Sequence, residues 1–91
     1  MGETAEARLK RMAMRSWRRG TKEMDLVLGP FADAHLAGLS EADLVTYDAL
    51  LAENDHDLMA WTPGQSAPPP VLAPLLARIT AFAETRLTRG N

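Results

Sequence analysis

The sequence predicts an all-α fold, a compact bundle of about five short helices forming one domain over residues 1–91, with a proline-rich loop at 62–70. Apolar residues recur at spacings of three and four along most of the chain, and no stretch shows the alternation of a strand. Residues that cap helices stand directly in front of these periodic stretches. Hydrophobic residues make up 46% of the 91 positions, too many for a disordered chain. A chain of this length buries roughly 60–65% of its unfolded surface, enough for one modest core.

Helix one is expected from about Thr4 to Arg18. Thr4 caps it, Glu6 suits its positive end, and Leu9, Met12, Ala13 and Trp17 share the side that faces the core. Gly20 is placed to end it. Helix two follows from Thr21 or Lys22 to Gly38, with Met24, Val27, Leu28 and Phe31 on its apolar face. Gly29-Pro30 in its middle predicts a kink or break, because proline lacks the backbone donor and crowds the preceding turn. Helix three starts at Ser40, with Asp43 as the capping-box acid and Leu39 and Leu44 as a hydrophobic staple. Leu44, Tyr47, Leu50 and Leu51 form its buried side. Helix four is short: Asp55 caps it, Leu58 and Trp61 pack, and Thr62-Pro63-Gly64 stops it. Helix five runs from Val71 or Pro74 to Thr88, with Leu72, Leu75, Leu76, Ile79, Phe82 and Ala83 in helical period. Arg86 and Arg89 suit its negative end, and Gly90 follows.

Composition excludes several function classes. The chain has no Cys, so disulfides, thiolate metal sites and thiol catalysis are ruled out. No apolar run reaches the length of a membrane span, so no membrane insertion is expected. Glu6 stands where a myristoylation signal needs Ser or Thr. The basic N-terminal stretch carries Glu3 and Glu6 and runs straight into the junction of helices one and two, so no cleavable targeting segment is expected. A bacterial cytoplasmic protein is the plain expectation.

The net charge of −2 conceals a strong asymmetry. Every charged residue from Arg8 to Lys22 is basic, and every one from Glu23 to Asp57 is acidic. A molecule polarised in this way orients itself on a charged partner as it approaches. The stripe Arg8, Arg11, Arg15 and Arg18 reads as a solvated face or as a docking surface for an acidic partner. The acidic remainder and the lack of base-stacking aromatics argue against nucleic acid. His35 and His56 have no companion at metal-ligand spacing. Trp17 and Trp61 read as packing residues, and Asp55 and Asp57 read as cap residues rather than a catalytic pair. No Ser-His-Asp set, phosphate loop or dinucleotide fingerprint is present, so no enzyme is expected.

The sign change falls inside Arg18-Arg19-Gly20-Thr21-Lys22-Glu23-Met24-Asp25, at the junction of helices one and two. On local physics this is a glycine-capped helix end carrying ordinary surface charges. Alternatively, Arg19 offers a bidentate fork to a partner, Glu23 accepts, and Gly20 lets a second backbone approach. That reading makes Arg19 and Glu23 an outward-facing grip.

Around Arg19-Gly20-x-x-Glu23 stand Trp17, Met24-Asp25-Leu26 and Pro30-Phe31, then Leu50-Leu51 and Asp55-x-Asp57-Leu58-x-x-Trp61. This ordered set, from about Leu9 to Trp61, resembles the succinate dehydrogenase assembly factor 2 family, also called the flavinator family. His56 departs from the proline of some relatives, and Pro63 from a common aliphatic residue. The resemblance implies a small helical assembly factor, not an enzyme. Such a factor binds the flavoprotein subunit of succinate dehydrogenase, and often of fumarate reductase, and promotes covalent attachment of FAD to one of its histidines. It implies that the motif residues are Arg19, Gly20 and Glu23. Arg15, Arg18 and Asp25 flank them as further candidates for the partner surface. The FAD belongs to the partner, and no cofactor is expected to be held stably here. The main alternative is an antitoxin-like or regulatory binding module acting through the basic first helix.

Overall fold

Helix α1 (Ala5–Ser16) begins where the Thr4 hydroxyl accepts the Ala7 N–H at 3.0 Å, the cap its sequence predicts. The computed structural model describes residues 2–89, with side chains to residue 86. The expected stop at Gly90 lies outside the described residues, as does the Arg89 side chain. After α1 come α2 (Lys22–His35), a 3₁₀ turn (Leu36–Gly38), α3 (Glu41–Leu51), α4 (Asp55–Trp61) and α5 (Ala73–Arg89). No strand occurs among the described residues, and the all-α bundle of five helices is the fold.

One apolar cluster runs through all five helices. Met12, Leu28, Tyr47, Leu50, Leu58 and Ile79 are fully buried, and Leu9, Ala13, Val27, Leu44, Trp61 and Phe82 pack against it from its edge. Phe31 links α2 to α3 and α5, stacking on Tyr47 at 6.0 Å and meeting Phe82 edge-on at 5.9 Å. Ser16, a buried polar residue, donates to the Met12 carbonyl at 2.8 Å and shares a 2.7 Å hydrogen bond with the Tyr47 hydroxyl. Burial pushes the Tyr47 phenol up to about 12.

Three local expectations change. Pro30 does not break α2, which continues to His35 before tightening into the 3₁₀ turn. Buried Leu28, Gly29, Phe31 and Ala32 on both sides of the proline hold the helix together despite the lost backbone bond. Trp17 does not enter the core; it is 39% exposed. Its indole lies flat on Gly29, where a Cβ would come within 2.3 Å of the ring, and its Nε1 donates to the Asp33 carboxylate at 3.2 Å. Gly29 is therefore the close contact between α1 and α2. Finally, Asn54, not Asp55, caps α4 by accepting the Asp57 N–H at 2.9 Å.

The start of α3 is as expected in half its detail. Ser40 accepts the Asp43 N–H at 3.1 Å, but the Asp43 carboxylate turns to Arg78 of α5 at 2.9 Å instead of closing the box. At the far side, Gly64 (φ +84°) and Gln65 end α4. The Gln65 N–H reaches the Ala60 carbonyl at 2.9 Å and the Gly64 N–H reaches Trp61 at 3.1 Å, the paired bonds of a Schellman stop.

The basic stripe of α1 is divided: Arg8 and Arg11 are held by acids, whereas Arg15 and Arg18 are exposed. The held part lies along acidic α3: Arg8 pairs with Glu41 at 2.9 Å, and Arg11 pairs with Asp48 at 3.0 Å and with Glu3 at 2.7 Å. The hydrogen bonds from Arg11 hold the Asp48 and Glu3 carboxyls below their ordinary values and raise the guanidinium in turn. Three pairs, Arg8–Glu41, Arg11–Asp48 and Arg19–Asp55, thus join the two blocks of opposite charge within the fold.

Candidate functional site

The motif occupies the turn between α1 and α2. The Trp17 N–H still bonds back to the Ala13 and Met14 carbonyls, so α1 is finished before Arg18. The chain then reverses through Gly20 at φ +107°, a region side-chain-bearing residues avoid. Thr21 caps α2, its hydroxyl accepting the Met24 N–H at 3.3 Å. Gly20 takes the positive φ expected of it, but in the reversal after α1, whose C-terminal cap is Trp17.

Arg19 is not the outward-facing group expected. Its side chain is only 8% exposed and its guanidinium spans the turn between α3 and α4. Nε donates to Asp55 at 2.9 Å, and the two terminal nitrogens donate to the carbonyls of Leu51 and Glu53. The last carbonyls of a helix lack intrahelical partners and carry partial negative charge. A planar fork satisfies the helix-terminal carbonyl of Leu51, the loop carbonyl of Glu53 and a carboxylate together, which an ammonium would not do with the same geometry. Arg15 adds a second donor to the Leu51 carbonyl at 3.1 Å. The Arg19 backbone N–H is fixed as well, donating to Asp25 at 2.7 Å.

This arrangement accounts for each expected site residue. Arg19, Asp25 and Gly20 form a clasp with Asp55; a Cβ at Gly20 would sit 3.3 Å from Asp55 Oδ2, on top of the φ strain. Arg15 is exposed with one internal bond, and Arg18 is exposed. Glu23, in the first turn of α2, is exposed and lies at the edge of an apolar hollow between α2, α4 and α5. The motif is thus split between an inward arginine and an outward glutamate. Sequence reading missed Asp55 as the partner of Arg19. Its only signal was an acid opposite in sign and 36 positions away, one of nine acids between Glu23 and Asp57.

Among the described residues, no group of three or more His, Asp or Glu is arranged to hold a metal. None of their helices is long and apolar enough to cross a membrane.

Comparison with known proteins identifies the family. A family model described as "Flavinator of succinate dehydrogenase" matches residues 10–83, which include the whole clasp and Glu23. Succinate dehydrogenase assembly factor 2, mitochondrial, of Penicillium rubens is 34% identical over 85 residues, covering 93% of this chain and 27% of its own length. The protein of the same name in Meyerozyma guilliermondii is 45% identical over 60 residues, covering 66% of this chain and 44% of its own. The matched region thus spans less than half the length of these relatives. Their names place them in mitochondria, which overturns the expected cytoplasmic location.

Proposed function

The chain belongs to the family of succinate dehydrogenase flavinators, and from that premise we propose that it binds the flavoprotein subunit of succinate dehydrogenase and promotes covalent attachment of FAD to it. The flavoprotein subunit of fumarate reductase is the second host of this reading. The match over residues 10–83 carries it, and the inward Arg19 and outward Glu23 support the division of parts given below.

The bond is made between a histidine of the host and the flavin's 8α-methyl carbon, and that chemistry belongs to the flavin and its host. This chain acts as a helper without catalytic groups or a stably held cofactor of its own. Its contribution is to hold the host subunit in the arrangement where the reacting atoms align. Arg19, Asp25 and Gly20 are positioning residues: they fix the turn so that α2 starts in one place. Glu23 is the contact residue, and exposed Arg15 and Arg18 are further candidates for contact. The alternative of a binding module acting through the basic first helix has less support, because Arg8 and Arg11 are engaged by α3 and only Arg15 and Arg18 of that stripe are exposed.

The test uses purified flavoprotein subunit and FAD with and without this chain, read as flavin fluorescence on a denaturing gel. Faster attachment is expected with the chain present. Equal attachment in both arms refutes the assignment. Glu23→Ala is expected to slow attachment while leaving the fold intact.

A further inference from the structure

Between α2, α4 and α5 lies an open groove with apolar walls. Met24 and Val27 of α2, Met59 of α4 and Ala83 of α5 line a hollow of about 310 Å³. A second hollow of about 390 Å³, reached past Leu26, shares Val27, Ala83 and Glu23 with the first. Leu26 and Met59 are 49% and 39% exposed, large apolar side chains left at the lips of the groove.

The charges at its edge indicate what covers it. Glu23 borders both hollows, and Glu84 of α5 borders the first. Among the described residues neither carboxylate makes an ion pair. Arg86 borders only the second hollow. A wholly apolar occupant would strip water from Glu23 and Glu84 without replacing it, which is costly. An occupant that brings a cation to that edge satisfies both acids while its apolar side chains fill the groove.

We propose that the groove seats a segment of the flavoprotein subunit that combines apolar side chains with a lysine or arginine, the cation resting between Glu23 and Glu84. The proposal builds on the flavinylation reading and adds to it the surface used and the chemistry of the segment bound. An amphipathic segment laid into a groove is a common mode of recognition, with apolar anchors supplying affinity and charge supplying register.

The experiment titrates purified flavoprotein subunit with the full chain and with Leu26→Arg, Glu84→Arg and Glu84→Gln. Val45→Arg, at a 56% exposed position on α3, is the control. Circular dichroism checks that each variant keeps its helices. Leu26→Arg and Glu84→Arg are expected to weaken binding at least about tenfold, Glu84→Gln by a smaller factor, and Val45→Arg not at all. Glu84→Gln nearly preserves the side chain's shape, so it serves if a larger change unfolds the protein. A photo-crosslinker at position 59 is expected to capture a basic, apolar segment of the flavoprotein. Unchanged affinity in Leu26→Arg and Glu84→Arg overturns the groove but leaves flavinylation standing. Capture of a second copy of this chain overturns the groove too. No binding by the unaltered chain overturns both.

Discussion

The polar seam around Arg19 and the apolar groove beside Glu23 start four residues apart in the chain and obey opposite rules. In the seam, polar groups are buried and satisfied: Arg19 meets a carboxylate and two carbonyls, and Tyr47 meets Ser16. In the groove, apolar side chains are exposed and the acids at the edge are unpaired among the described residues. A surface completed from within contributes stability, and one left incomplete is available to a partner. The comparison teaches that a short motif can serve both ends at once, with its arginine building the platform and its glutamate standing on it.

The sharpest way to break the comparison is Arg19→Ala. It leaves Asp55 and the carbonyls of Leu51 and Glu53 without their donor, and an expected loss of about 3–5 kcal/mol is measured by urea denaturation. Arg19→Lys restores only part of it, because an ammonium cannot reproduce the fork. A loss below about 1 kcal/mol would mean the seam is not structural and Arg19 is free to serve a partner.

The next effect is alkaline. The Tyr47 phenol is raised from 10 to about 12 by burial, with its bond to Ser16 and the nearby Arg19 opposing the rise. A raised folded value stabilises the protein fully below pH 10, and that contribution is lost as pH rises through about 12. The expected fall is on the order of 2–3 kcal/mol. Tyr47→Phe removes this alkaline limb, as melting curves across pH 9–12.5 would show; an unchanged limb would place its cause elsewhere.

Gly20→Ala is expected to cost about 1–2 kcal/mol through the φ strain of the turn, with partner binding reduced only as far as the turn shifts. The acid limb is smaller still. Arg11 lowers the folded values of Asp48 and Glu3, so their contribution is present at neutral pH and lost as pH falls below the ordinary carboxyl range. For the part-exposed Asp48 pair it amounts to less than about 1 kcal/mol, and Asp48→Asn should flatten the stability curve there. Glu23→Ala marks the other side of the comparison, with stability within about 0.5 kcal/mol of the parent and slower flavin attachment. A Glu23→Ala protein that melts early would place Glu23 in the seam.

Much of the fold was legible in the sequence because its signals are local. Caps such as Thr4 and Ser40 act on N–H groups three residues away, and apolar stripes repeat every turn. The motif and its ordered companions identified the family by the same kind of short-range spacing. Those features, and the presence of a glycine turn between an arginine and a glutamate, were determined by the sequence by itself. Only the tertiary structure decided that Arg19 points inward, that Asp55 receives it, that Trp17 lies on Gly29, and that Arg8 and Arg11 are taken up by α3. Each of these is a pairing across the chain, and charge alone lets an arginine choose among many acids. Packing of the helices makes that choice, because it settles which carboxylates and orphan carbonyls come within hydrogen-bond reach and which are left to water.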